Sequence, residues 1–164
     1  MTNAADVVAL AGRLGRTVAT AESLTAGLVT SSLADVPGAS SVLQGGIIAY
    51  QLSVKHKLLG VDAELLATAG AVDPRVAAAM ADGARRALSA DVGVATTGVA
   101  GPSAHGGRSV GTVFTAISTA ASTRTFEHHF GGDRAAIRQA ACAAVLTELL
   151  FELSRGTNDV PGQL

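Results

Sequence analysis

The chain has no tryptophan, one tyrosine, four phenylalanines and one cysteine. With so few aromatics, a core must be assembled from small aliphatic side chains, mostly Ala and Val, and such surfaces let helices and strands pack closely. With Cys142 alone, no intrachain disulfide can form. Its apolar helical setting, QAACAAVLTELL, reads as that of a buried, inert thiol. Charge is scarce too: 15% of residues are charged and the net charge is −1, against 48% hydrophobic residues. A nucleic-acid groove needs many cations on one face, so this balance argues against a nucleic-acid partner. A small phosphate ligand needs only one or two cations and stays open. No apolar run of about 18 residues occurs, so no spanning helix and no membrane partner are expected. The opening MTNAADVVALAGRLG lacks a basic stretch and carries Asp6 and Arg13, so no secretory signal is read and the expected compartment is the cytoplasm. His56 and His105 are isolated, and His128 and His129, adjacent on a strand, point to opposite faces. Without HxxxH or CxxC spacing, neither a metal site nor a cofactor is expected.

What is present is periodic. At 164 residues the chain fits one domain, which at this size buries roughly 70% of its unfolded surface. The domain is expected over 1–155, with 156–164, polar and carrying Gly and Pro, as a flexible tail. Helical spacing marks Ala4 to Leu14. Thr17 to Ala21 reads as a buried strand. Ser23 and Thr25 are placed to cap a helix through LVTSSLADV, which Pro37-Gly38 ends. A strand follows within Val42 to Tyr50, then short helices from Ser53 to Leu59 and from Asp62 to near Gly70. Asp73-Pro74 opens a longer helix to about Leu88. Asp91 to Thr97 is a strand. Ser103 to Ser109 is polar, Gly-rich and expected to be mobile. Val110 to Ser118 and Thr123 to Phe130 form a hairpin across Thr119 to Ser122, and a last helix, capped by Asp133, runs from Arg134 to about Leu153. Parallel crossovers come first and a hairpin late. That order predicts a three-layer α/β/α sandwich with a mixed, mostly parallel central sheet.

Four segments have residues suited to chemistry. AESLTAG, from Ala21 to Gly27, joins a strand end to a helix start, where ligands bind in open α/β sheets. A Ser there can be a nucleophile with nearby N–H groups as oxyanion donors, or simply a cap. Tyr50 is followed five residues on by Lys55, which is either surface charge or, if desolvated, a base able to activate a serine without histidine. TGVAGP, from Thr97 to Pro102, places Gly98 and Gly101 after a strand, as a tight turn or as a cradle for ribose or phosphate. GGDR, from Gly131 to Arg134, with Arg138 one turn later, offers guanidinium groups for a phosphate or for the solvent.

Taken together, these segments resemble the CinA C-terminal domain family, also known as competence/damage-inducible proteins and as PncC-type nicotinamide mononucleotide (NMN) amidohydrolases. The family's AES-x-T-[GA]-G stands here as AESLTAG, its Tyr-x4-Lys as YQLSVK, its LLGV at Leu58 to Val61 and its GAV at Gly70 to Val72. Its TGIAGP stands as TGVAGP, its VGTV at Val110 to Val113, and its GDR with a second Arg at Gly132 to Arg134 and Arg138. The motifs run in register over about residues 5 to 152. The resemblance implies a hydrolase that deamidates NMN to nicotinate mononucleotide and ammonia, with Ser23 as nucleophile and Lys55 as its base. Tyr50 and Thr97 are the expected assisting catalytic residues. Glu22, Thr25, Ala26, Gly27, Gly98, Gly101, Arg134 and Arg138 are the expected substrate contacts, with backbone N–H groups of Thr25 and Ala26 as oxyanion donors. Three departures stand out: Gln51-Leu52 in place of Ser-Asn, ESLTAG in place of ESCTGG, and GPSAHGGRSVGTV in place of a GPGGG segment with Lys-Pro. The last motivates an alternative, a nucleotide-binding or regulatory module with weak or no turnover. The length resembles that of stand-alone members without a pyrophosphatase-like domain. The small-residue helices, together with the resemblance, imply a homo-oligomer, a dimer or larger.

Overall fold

A computed structural model describes residues 4–155; the expected tail at 156–164 lies outside the described residues. The elements run in the order α1 (Ala4–Leu14), β1 (Val18–Glu22), α2 (Leu28–Ala34), β2 (Leu43–Ile48), α3 (Leu52–Leu59), α4 (Ala63–Ala69), α5 (Pro74–Ala87), β3 (Val92–Gly98), β4 (Thr112–Ser118), β5 (Thr123–His129) and α6 (Arg134–Arg155). A short 3-10 turn, Ala39–Ser41, which the sequence did not signal, precedes β2. The sheet order is β2-β1-β3-β4-β5. The β2, β1 and β3 strands are parallel, and β4 is antiparallel to both β3 and β5. Four of the five strands therefore run the same way and β4 alone opposes them, which gives the mixed, mostly parallel sheet expected.

Burial on both faces explains why the central strands read as unbroken apolar runs. Along β1 the side chains alternate: Val18 packs in a cluster with α1, α2 and α6, while Ala19 and Ala21 join one with α3, α4 and α5. Small residues give the close packing their abundance suggested. Between α5 and α3 the approach is so tight that a Cβ at Gly83 would overlap the carbonyl of Leu59. That contact holds α3 close against α5. Asp62 and Asp73 cap α4 and α5 through the N–H groups of Leu65 and Arg75, each at 2.8 Å, and Asp133 accepts from Ala136 N–H at 2.9 Å at the start of α6. His128 turns inward to Glu148 at 2.8 Å, while His129 stays outside beside Glu127. Cys142 is buried, which pushes its thiol up from its ordinary value. No helix among the described residues is long and apolar enough to cross a membrane.

The start of α2 differs from the sequence expectation. Neither Ser23 nor Thr25 caps it. Ala26 (φ 49°) and Gly27 (φ 101°) both adopt the left-handed region, and the helix begins only at Leu28. Glu22 supplies the cap. By the period-2 alternation of β1 it lies on the same face as Val18 and Thr20, under α2. Its carboxylate, 1% exposed, accepts from the N–H groups of Gly27 (2.8 Å), Val29 (3.1 Å) and Thr30 (2.8 Å), and from the Thr30 hydroxyl (2.6 Å). A negative charge there satisfies the orphan donors of the first turn and the positive end of the dipole. Replacing Glu22 with Ala leaves those donors buried without a partner. The variant Glu22→Ala is expected to lose roughly 3 kcal/mol of unfolding free energy in urea titrations; a loss below about 1 kcal/mol would show that the carboxylate does not hold the helix.

Candidate active site

The C-terminal ends of β2, β1 and β3 lie side by side, and each delivers residues to one cavity of about 350 Å³. Its size falls in the range of small-molecule sites. Ser23 follows β1, Tyr50 follows β2, and Thr97 and Gly98 end β3. Gly101 and Arg134 complete the set of expected residues that line it.

Lys55 is placed by α3. It is 0% exposed, and its Nζ donates to Ser23 Oγ at 2.9 Å, to the carbonyl of Ala49 at 2.5 Å and to that of Tyr50 at 3.3 Å. The turn from β2 into α3 aims those two carbonyls back at the amine. Ala49 is held in turn by its own N–H bond to the carbonyl of Glu22 at 2.8 Å. All three partners of Nζ are uncharged, so no counter-charge offsets the loss of hydration, and burial pulls the amine from 10.5 down to about 8. An ammonium group fills the site with three N–H donors. A neutral amine keeps its two bonds to the carbonyls and turns its lone pair to Ser23, whose hydroxyl then donates. The same geometry thus serves both protonation states. Ser23 is 8% exposed, and its N–H donates to the carbonyl of Thr96 at 3.0 Å, so its side chain sits at the floor of the cavity.

Arg134, at the start of α6, straps the cavity mouth. It donates from Nη1 to the carbonyl of Gly101 and from Nη2 to the Tyr50 hydroxyl, each at 2.8 Å. The Tyr50 ring itself is half exposed. Thr97 is buried, and its hydroxyl donates to the carbonyl of Ala71 at 2.7 Å, fixing the segment before α5 against β3.

Other expected contacts are placed elsewhere. Glu22 faces α2, opposite in the strand's alternation to the residues beneath the cavity. Thr25 is fully buried and pairs its hydroxyl with that of Thr96 at 2.7 Å. The N–H of Ala26, an expected oxyanion donor, is committed to the carbonyl of Ser23 at 3.2 Å. Gly27 N–H belongs to Glu22. Arg138 bonds the carbonyls of Leu24 (2.8 Å) and Thr25 (2.9 Å), so its guanidinium holds the loop after Ser23 in place. None of these five lines the cavity.

The sequence reading missed Leu24, Ala71, Val72 and His105, which do line it. Ala71 and Val72 lay within the GAV motif and carried that signal; His105 was set aside as isolated. The segment expected to be a mobile loop contains a tight turn instead. His105 and Arg108 bond each other through both backbone groups, at 3.1 and 3.0 Å, across Gly106 (φ 57°) and Gly107 (φ 74°). Two consecutive positive φ angles at a two-residue β-turn call for glycine at both positions.

Comparison with known proteins gives the family and the fold. A model of the CinA C-terminal domain matches residues 2–153. The chain is 47% identical over 132 residues to a protein of Desulforamulus reducens with a competence-damage inducible name, covering 80% of this chain and 32% of that protein. With a CinA-like protein of Frankia casuarinae it shares 46% over 140 residues, 85% of this chain and 32% of the other. The chain thus spans about a third of the length of these curated relatives. Among solved structures, the competence/damage inducible protein CihA from Agrobacterium tumefaciens superposes with a TM-score of 0.87 at 35% identity, covering 92% of this chain and 93% of that one. A CinA superfamily protein from Klebsiella pneumoniae superposes with a TM-score of 0.89 at 27% identity, covering 93% and 96%.

Because the folded amine titrates near 8 and the unfolded one near 10.5, the unfolded chain binds more protons between those values, and stability rises with pH there. The difference in unfolding free energy between the protein and Lys55→Met should therefore shift in favour of the lysine by roughly 2 kcal/mol from pH 8 to 9.5. Urea titrations of both proteins at each pH measure it, and a flat difference would mean that the amine is not desolvated.

Proposed function

The chain belongs to the CinA C-terminal domain family, and we propose that it is an amidohydrolase that deamidates NMN to nicotinate mononucleotide and ammonia through a Ser23–Lys55 dyad. The observation that carries this reading is the buried Lys55 amine 2.9 Å from a serine hydroxyl that opens into a cavity. A serine hydroxyl is a poor nucleophile without a base. A lysine that titrates near 8 keeps a usable neutral fraction close to neutrality.

In the proposed reaction the neutral Lys55 amine takes the Ser23 proton as Oγ attacks the carboxamide carbon. The resulting ammonium returns that proton to the departing nitrogen, and ammonia leaves an ester on Ser23. Water enters, gives a proton to the freed amine and attacks the ester carbon; the acid product leaves and Ser23 regains its proton from Lys55. The Ala49 and Tyr50 carbonyls hold Nζ in place through both steps. Thr97, tied to Ala71, and Tyr50, tied to Arg134, shape the wall against which the substrate rests.

Purified protein should release ammonia from NMN with no added metal, and the rate should climb as pH rises through about 8, since the base must be neutral. Ser23→Ala and Lys55→Met should each lower kcat by about 10³-fold or more while circular dichroism shows the fold intact. The double variant should lose little beyond either single one, because the two groups act as a unit. Full activity in Ser23→Ala rejects the mechanism. A rise in Tm with NMN but no ammonia from the unaltered protein rejects turnover and supports binding alone.

A further inference from the structure

Outside the dyad, the cavity has a pronounced charge bias. Among the described residues, no Asp or Glu lines it, while Arg134 and His105 do. The two partners of Arg134, a carbonyl and a phenol, are both uncharged, so its positive charge is left uncompensated at the mouth. The acidic groups adjoining the lining residues in sequence are occupied elsewhere: Asp133, next to Arg134, accepts from Ala136 N–H at 2.9 Å at the start of α6. Glu22 serves the start of α2, and Asp73, next to Val72, is held by Arg75 at 2.9 and 3.0 Å, which keeps its carboxyl below its ordinary range.

His105 reaches this cavity because of the turn that carries it. Gly106 and Gly107 fold the chain back on itself, and Arg108, on the far side of that turn, lies 5.3 Å from the centroid of the Phe114 ring. Stacking of a guanidinium on an aromatic face anchors one arm of the turn on β4. The other arm then presents His105 to the same cavity of about 350 Å³ that Arg134 lines.

We propose that His105 is a substrate-selecting residue, an imidazole N–H donor that joins the Arg134 guanidinium in binding the phosphate of a pyridine mononucleotide. The inference rests on the amidase reading for its substrate class and extends it to a residue outside the motifs that define that reading. Its consequence is preference for the phosphorylated ligand over the dephosphorylated nucleoside. A ring N–H to a phosphate oxygen is a charge-assisted bond and is lost when the phosphate is absent.

Steady-state ammonia release is compared for the unaltered protein, His105→Ala and His105→Lys, with NMN and with nicotinamide riboside. His105→Ala is expected to raise KM for NMN about tenfold, to leave KM for the riboside within about twofold, and to leave Tm unchanged, since the residue is exposed. His105→Lys, which restores a donor, should recover most of the NMN affinity. Equal KM changes for the two substrates, or none, overturn the inference. If the unaltered protein releases no ammonia from either substrate, the amidase reading falls, and calorimetric titration with NMN decides the role of His105 independently. Binding about tenfold weaker in His105→Ala supports the role; equal binding in both proteins, or no binding by either, overturns it.

Discussion

Burying an amine without a counter-charge is the constraint around which this molecule is arranged. Lys55 is fully enclosed, and its neighbours offer oxygen lone pairs with no carboxylate among them. An uncompensated ammonium is costly in such a place, so its proton is loosened. A lysine placed for stability would be paired or would reach for water. This one is held against a serine at the end of a central strand.

Several features follow from keeping that amine in position. The carbonyls of Ala49 and Tyr50 must point inward, which fixes the turn from β2 into α3. The α3 helix must lie flat against α5, which requires the missing side chain at Gly83. The loop after Ser23 must not drift, and Arg138 clamps its carbonyls from α6. Each is a positioning contact made by backbone or by a residue that never meets the cavity, so their effects reach the site only through geometry.

A second consequence concerns the helix after Ser23. In many α/β folds such a helix aims its positive end at the ligand. Here Ala26 and Gly27 turn the chain away, and the Glu22 carboxylate takes up that end. Among the residues lining the cavity, the fixed positive charge is then that of the Arg134 guanidinium. The fold thus keeps one buried carboxylate within two residues of its serine and still leaves the cavity free of negative charge.

Much of the architecture was legible in the residues. Period-3.6 and period-2 patterns, with Asp at helix starts and Gly at helix ends, located the α-helices and strands of the described residues to within a few residues, though not the 3-10 turn at Ala39–Ser41, and late placement of the hairpin marked the sheet as mixed. The motifs likewise pointed to Ser23, Tyr50, Lys55, Thr97 and Arg134, because strand ends and helix starts are local features. Which side of a strand a residue serves, and which partner claims a backbone donor, is not local. AESLTAG gave no sign that Glu22 lies under α2 or that Ala26 N–H is spent on Ser23, and an isolated histidine before two glycines gave none that the turn would carry it to the cavity. Patterning by hydrophobic period is written into the chain because it depends on neighbours three or four residues apart. Desolvation of Lys55 and the charge of the cavity depend on atoms brought together from positions 22 to 134, and only the packed tertiary structure could decide them.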